Sequence, residues 1–172
     1  DFNYGVLPQE MVDKITSLAF KKNILLAADS QSSSQIGDIS RYKNMDLITP
    51  TEREARISTR NNGDGLITLV EQLQTDSCAK NIFLKLGEEG MLIHSDKDKE
   101  KIRTDRLFAL NKFAKDTAGA GDSLLITSAL SLASGADIWQ AALLGSLAAS
   151  IQVSRIGNTP LKSKKLILKL KS

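Results

Sequence analysis

Residues 116–123 run Asp116-Thr117-Ala118-Gly119-Ala120-Gly121-Asp122-Ser123. Two glycines and two alanines sit together, acids flank them, and an amphipathic pattern follows at once. Leu124, Leu125, Ala129, Leu130 and Leu132 predict a helix over Ser123–Ala133, closed by Gly135. Small residues let a ligand approach the backbone closely. The first N–H groups of a helix lack partners within it, and the positive end of its dipole favours an anion such as phosphate. Gly119, Ala120 and Gly121 are therefore anion-hole candidates, with Asp122 in the first turn. A carboxylate there can take a proton from a hydroxyl that attacks a phosphate. The same string also reads as a Gly-rich loop with an aspartate N-cap, as many helices have. It lacks the third glycine of a dinucleotide fingerprint and the Gly-Lys-Ser/Thr of a Walker A loop.

Upstream, Pro8 opens a helical pattern with Met11, Val12, Ile15, Leu18 and Ala19 on one face, stopped near Asn23. Ile24-Leu25-Leu26-Ala27-Ala28 predicts a strand buried on both faces, with Asp29 at its carboxyl end. A Ser/Gln-rich loop, residues 30–35, has the character of an active-site loop. Asp46–Thr49 predicts a second strand, ended by Pro50, and Thr51 with Glu54 forms a capping box that starts a helix. After the Asn61-Asn62-Gly63 turn, Leu66, Ile67, Leu69, Val70 and Leu73 mark another helix. Asn81–Leu86 and Met91–His94 predict a hairpin across Gly87–Gly90. Extended stretches are expected at about Ile102–Phe108 and Lys112–Ala114. Asp137 with Gln140 makes a second capping box for an Ala-rich helix ending near Arg155-Ile156-Gly157. The order implies an α/β fold with a largely parallel sheet.

The 172 residues are 41% hydrophobic and 25% charged, which excludes a disordered or collagen-like chain. A domain of this length buries roughly 70% of its unfolded surface. Net charge is +3, but Lys162, Lys164, Lys165, Lys169 and Lys171 leave −2 for the rest. No aromatics interleave with those lysines, so the tail offers bases no stacking surface; it reads as a solvated helix end or linker, with no nucleic-acid role. The single Cys78 excludes an internal disulfide and a Cys-rich zinc site, and fits a cytoplasmic location. The single His94 sits in an apolar run, which argues against a catalytic role. No apolar run reaches 18 residues, so no membrane span is expected.

Asp116–Asp122 resembles the second signature, D-T-x-G-A-G-D, of the ribokinase-like (PfkB) carbohydrate kinase family, and matches it fully. The resemblance implies a Rossmann-like layered αβα fold with a mostly parallel sheet, incomplete at its N-terminal side. It implies ATP and Mg²⁺ as cofactors, Asp122 as general base toward a sugar hydroxyl, and an anion hole from Gly119, Ala120 and Gly121, with Thr117 beside the nucleotide. Thr49-Pro50-Thr51-Glu52-Arg53-Glu54 resembles the family's Asn-x-x-Glu segment, with Thr51 in place of Asn. By that resemblance Glu54 organises Mg²⁺ through water, and Thr51 keeps a hydroxyl donor for a phosphate contact. Both also satisfy a plain capping box. Lys85–Gly90 resembles the strand and turn beside the nucleotide, with Gly87 against ATP or as a simple hairpin turn. The helix around Ala142–Ser150 resembles the one flanking the adenine pocket, although its small residues also suit close helix packing.

Within the family, Asp1–Leu7, Asp29 and Arg155–Pro160 resemble the kinase portions of bifunctional ADP-heptose synthases. That implies phosphorylation of the anomeric hydroxyl of a heptose 7-phosphate, in lipopolysaccharide precursor synthesis, with a fused nucleotidyltransferase domain as partner. Asp1, at a chain end, is expected to fray. The resemblance covers the family's C-terminal half, so residues 1–160 are expected to be the C-terminal portion of a kinase domain and 161–172 a junction. The absent N-terminal half would supply most of the sugar site, and weak or no turnover is expected without it. An exposed sheet edge can pair with another chain, as in a homodimer. A non-catalytic nucleotide-binding or assembly module of kinase ancestry, and a kinase for another small hydroxylated substrate, remain open.

Overall fold

The computed structural model describes residues 1–32, 35–95, 103–111 and 113–171. The expectations at Ser33, Ser34, Ile102 and Lys112 lie outside the described residues. The chain divides into two compact units, Asp1–Leu86 with Leu92–Arg106, and Gly87–Met91 with Leu107–Ser172.

The first unit begins with helix α1 (Gln9–Lys21), N-capped by Pro8. Only Val12 and Ala19 of its expected apolar face are buried; Met11, Ile15 and Leu18 are 44–54% exposed. Among the described residues a single five-stranded sheet follows, in the order β1 (Ala27–Ala28), β2 (Leu47–Ile48), β3 (Asn81–Lys85), β4 (Met91–Ser95) and β5 (Thr104–Leu107). β1 and β3 both lie parallel to β2, with Ala28 opposite Ile48 and Ile48 opposite Ile82. The link between β3 and β4 is too short for a parallel crossover, so they form the expected hairpin. β1 is shorter than the run 24–28 predicts. It lies at the sheet edge with β2 as its one partner, Leu26 N–H bonds the Asp46 carboxylate at 2.8 Å, and Ile24 is 56% exposed.

Helices α2 (Glu52–Thr59) and α3 (Leu66–Ser77) pack together and onto β3. Leu69, Val70 and Leu73 of α3 join Ile48, Ile82 and Leu84 in the core, whereas Ile67 turns outward at 56% exposure. His94 is fully buried in β4, its ring nitrogens bonded to Thr104 Oγ1 at 2.7 Å and Gln74 Oε1 at 3.0 Å. That environment makes it a structural histidine. Asp1 is held rather than frayed: Tyr42 Oη donates to its carboxylate at 2.7 Å, and Arg41 pairs with it at 3.2 Å.

The second unit is helical. α4 (Ala120–Ala133) and α5 (Ile138–Val153) pack side by side, and α6 (Ser163–Leu170) contacts α5. The Asp137–Gln140 capping box is present in full. A Cβ on Gly145 would come within 2.1 Å of Ser128 Oγ, so the small residues of α5 serve close packing on α4. Phe113–Ala114 forms no strand; Phe113 is 87% exposed, with no sheet face to cover it, and the next N–H, of Lys115, bonds Val153 O at 2.7 Å. The lysine-rich tail becomes α6, which buries none of its residues. Among the described residues no helix is long and apolar enough to cross a membrane.

Candidate active site

α4 starts three residues earlier than its apolar pattern predicts, because Gly119 adopts φ +73° and serves as the N-cap. Only a residue without Cβ enters this left-handed conformation cheaply, and a Cβ here would meet Asn158 Oδ1 at 2.1 Å. Ala120, Gly121 and Asp122 are therefore the first helical turn, and Asp122 is its third residue rather than an N-cap. Its side chain is exposed. The Ala120 N–H donates to Thr117 O at 3.1 Å and closes a tight turn. Among the described residues, the N–H groups of Gly119, Gly121 and Asp122 have no hydrogen-bond partner. Three open donors at a positive helix end, with a solvent-facing carboxylate one turn in, can bind an anion and accept a proton beside it. Thr117 is exposed at the lip of the turn.

The turn is braced within its own unit. Asp116 accepts from Ala118 N–H through Oδ1 and from Gly157 N–H through Oδ2, both at 2.9 Å. The Ala118 N–H first, and that of Gly157 second, hold the Asp116 carboxyl below its ordinary value. Gly87 belongs to the same unit, exposed at φ +62° with open space where a Cβ would stand. Its neighbour Gly90 is the more constrained, since a Cβ there would lie 2.1 Å from Leu107 O.

Thr51 and Glu54 lie in the first unit, at the carboxyl end of β2 and the start of α2. Thr51 Oγ1 accepts from Glu54 N–H at 3.3 Å, and Glu54 Oε2 accepts from Thr51 N–H at 2.7 Å. Glu54 is 7% exposed, and its Oε1 accepts from Ser32 N–H at 3.1 Å. It thus ties the 29–32 loop to the helix start. Lys85, at the end of β3, donates to Asp29 Oδ2 at 2.7 Å at the end of β1. Burial pushes the Asp29 carboxyl up against the pull of Lys85, and the charge of Glu54 adds to the rise. Carboxyl ends of parallel strands are where open α/β sheets bind ligands.

Four residues that shape these places are not singled out by the sequence: Lys85, Gly90 and Asn158 fall inside family-like segments without a role of their own, and Gln152 lies outside them all. A signal for one of them is present in the sequence. Ala141, Gly145 and Ala148 form a buried small-residue stripe on α5, and Gln152 continues it at the next turn as its one long polar member.

The pfkB family carbohydrate kinase model matches residues 2–165. Among curated proteins, the bifunctional protein HldE of Campylobacter concisus is 32% identical over 162 residues, covering 92% of the chain and 32% of the relative. The HldE of Koribacter versatilis is 29% identical, covering 97% and 33%. The chain thus spans about a third of the length of these relatives. Among solved structures, Arabidopsis thaliana ribokinase complexed with ribose and ATP superposes with TM-score 0.79 at 18% identity, covering 96% of the chain and 53% of that protein. Escherichia coli phosphofructokinase-2 in complex with potassium gives 0.76 at 20%, covering 95% and 52%. These likenesses extend over nearly the whole chain and show a ribokinase-like layered α/β fold with a mostly parallel sheet. The chain belongs to the pfkB family of carbohydrate kinases.

Proposed function

We propose that this chain is the catalytic portion of an ATP-dependent sugar kinase that phosphorylates the anomeric hydroxyl of a heptose 7-phosphate. The carrying observation is the Asp116–Asp122 string folded as an open helix N-terminus, with Asp122 exposed in its first turn. In this reading Asp122 orients the sugar hydroxyl and takes its proton as that oxygen attacks the terminal phosphorus of ATP. The N–H groups of Gly119 and Gly121 face the charge that builds on the moving phosphoryl group, and Ala120 shares its own between Thr117 and that group. Thr117 and Gly87 border the nucleotide. Glu54 fits a magnesium ion held mostly by water and phosphates: two of its lone pairs take backbone N–H groups and the remainder stay available. Thr51 supports Glu54 and offers its hydroxyl to a phosphate. Bound magnesium would neutralise phosphate charge. The heptose assignment rests on the Asp1–Leu7, Asp29 and Arg155–Pro160 resemblances, and the bifunctional names of the relatives suit a fused nucleotidyltransferase partner.

The test is phosphorylation by the full-length product of the coding sequence that contains this chain, offered ATP and a panel of heptose 7-phosphate, hexoses, nucleosides and vitamins. Turnover specific to heptose 7-phosphate, reduced at least about 100-fold by Asp122→Asn, is expected. Intact activity in that variant rules out Asp122 as base, and turnover of another panel member rules out the heptose. The 172 residues alone are expected to turn over weakly or not at all. The Thr51–Glu54 box, complete without any ligand, favours a second reading as a nucleotide-binding assembly module. Calorimetric ATP binding with no turnover across the panel would select it.

A further inference from the structure

Gln152 is 1% exposed, in the last turn of α5, and every hydrogen-bonding position of its side chain is used. Its amide nitrogen donates to Ala118 O at 2.9 Å and to Gly157 O at 3.2 Å. Its oxygen accepts from Arg155 Nε at 3.1 Å and from Arg155 Nη2. A buried amide is costly to desolvate, and an apolar side chain of that size would fill the space at less cost. What only the amide achieves is to hold the Ala118 and Gly157 carbonyls, the first of them in the turn before α4.

The peptide group is planar and trans, so Ala118 C=O and Gly119 N–H point in opposite directions from one rigid plane. Fixing the carbonyl therefore fixes the direction of the Gly119 N–H, one of the three open donors at the start of α4. A hydrogen bond to the carbonyl also polarises the amide and strengthens its N–H as a donor. Asp116 secures the preceding plane through Ala118 N–H at 2.9 Å.

We propose that Gln152, itself held by Arg155, is a positioning residue that aims the Gly119 N–H at the transferring phosphoryl group. This rests on the sugar-kinase reading above. In the full-length product, Gln152→Met keeps the volume and removes the donor, whereas Gln152→Glu keeps the shape and replaces the donor by an acceptor. Both are expected to lower kcat about 10- to 100-fold with KM for ATP changed less than about threefold, because the turn acts on charge that develops in the transition state. Both are also expected to speed amide exchange of the 116–121 segment, read by mass spectrometry. Arg155→Met, which frees the glutamine oxygen and the Thr159 carbonyl but leaves both amide donors in place, should give the same pattern at about 3- to 10-fold, and it carries the test if the Gln152 variants fail to fold. An active enzyme whose kcat is unchanged in these variants overturns the proposal. If the wild type has no sugar-kinase turnover, the kinase reading fails separately; faster 116–121 exchange in Gln152→Met then upholds the brace, and unchanged exchange overturns it.

Discussion

Asp116 spends both carboxylate oxygens on backbone N–H groups, those of Ala118 and Gly157, and these hold its proton affinity below the ordinary carboxylate value. The unfolded chain binds that proton more readily. The contribution is therefore present above the unfolded value, about pH 3.9, and is lost as pH falls through the lower folded value. Exchange protection at Ala118 and Gly157 is expected to hold down to about pH 3.9 and to collapse below it. In Asp116→Asn it should be weaker and flat across the same range. Protection that stays constant to pH 2 in the wild type would show that the carboxylate does not hold the loop. Gly119, three residues on, admits no larger residue. Its left-handed φ and the nearby Asn158 leave no place for a Cβ, and that requirement is visible in the residue type but not in the spacing.

At the scale of elements, capping chemistry was the most legible part of the chain. Both boxes, Thr51 with Glu54 and Asp137 with Gln140, exist as their side-chain types demand. Thr51→Ala is expected to lower stability by about 1 kcal/mol, whereas Thr51→Asn, an equally good cap that carries the family residue, should leave the denaturation midpoint unchanged. Equal losses in the two variants would mean that the hydroxyl does more than cap. Strand lengths were less legible. The apolar run 24–28 gives only two paired residues, because pairing depends on the partner, and β2 is itself cut short before Pro50. The start of α4 was set by the φ of Gly119 rather than by apolar periodicity, which begins three residues later. The brace at Gln152 was only half legible: the small-residue stripe of α5 marks the residue, but the Ala118 and Gly157 carbonyls it holds are backbone atoms, which leave no trace in side-chain patterns. Helix contact brings a further expectation. A Cβ on Gly145 would stand 2.1 Å from Ser128 Oγ, with Leu124 Cδ1 next at 2.9 Å. Gly145→Ala should cost about 1–3 kcal/mol through overpacking of α4 on α5, and adding Ser128→Gly should recover part of it. No loss in the single variant, measured by urea titration, would show that the pair can separate freely.

At the scale of the whole molecule, α1 departs from the rule that an amphipathic helix hides its apolar stripe. Met11, Ile15 and Leu18 follow one another at helical spacing and remain 44–54% exposed. Scattered exposed apolar residues are ordinary, but a continuous stripe marks a surface that another surface covers. The first unit already supplies its own core through Leu69, Leu73, Ile82 and Leu84, so its stability does not need this stripe in the isolated chain. The 172-residue chain is therefore expected to bind a hydrophobic dye and to associate as its concentration rises. Ile15→Glu with Leu18→Glu should abolish both and shift stability by less than about 0.5 kcal/mol, as for surface substitutions. Where a partner surface covers the stripe, the same pair is expected to cost about 2 kcal/mol or more, because the added charges would be stranded. Dye binding retained in full by the double variant would show that the stripe is not the exposed apolar surface. A wild-type chain that stays monomeric and binds no dye would show that the stripe's exposure has no consequence for assembly.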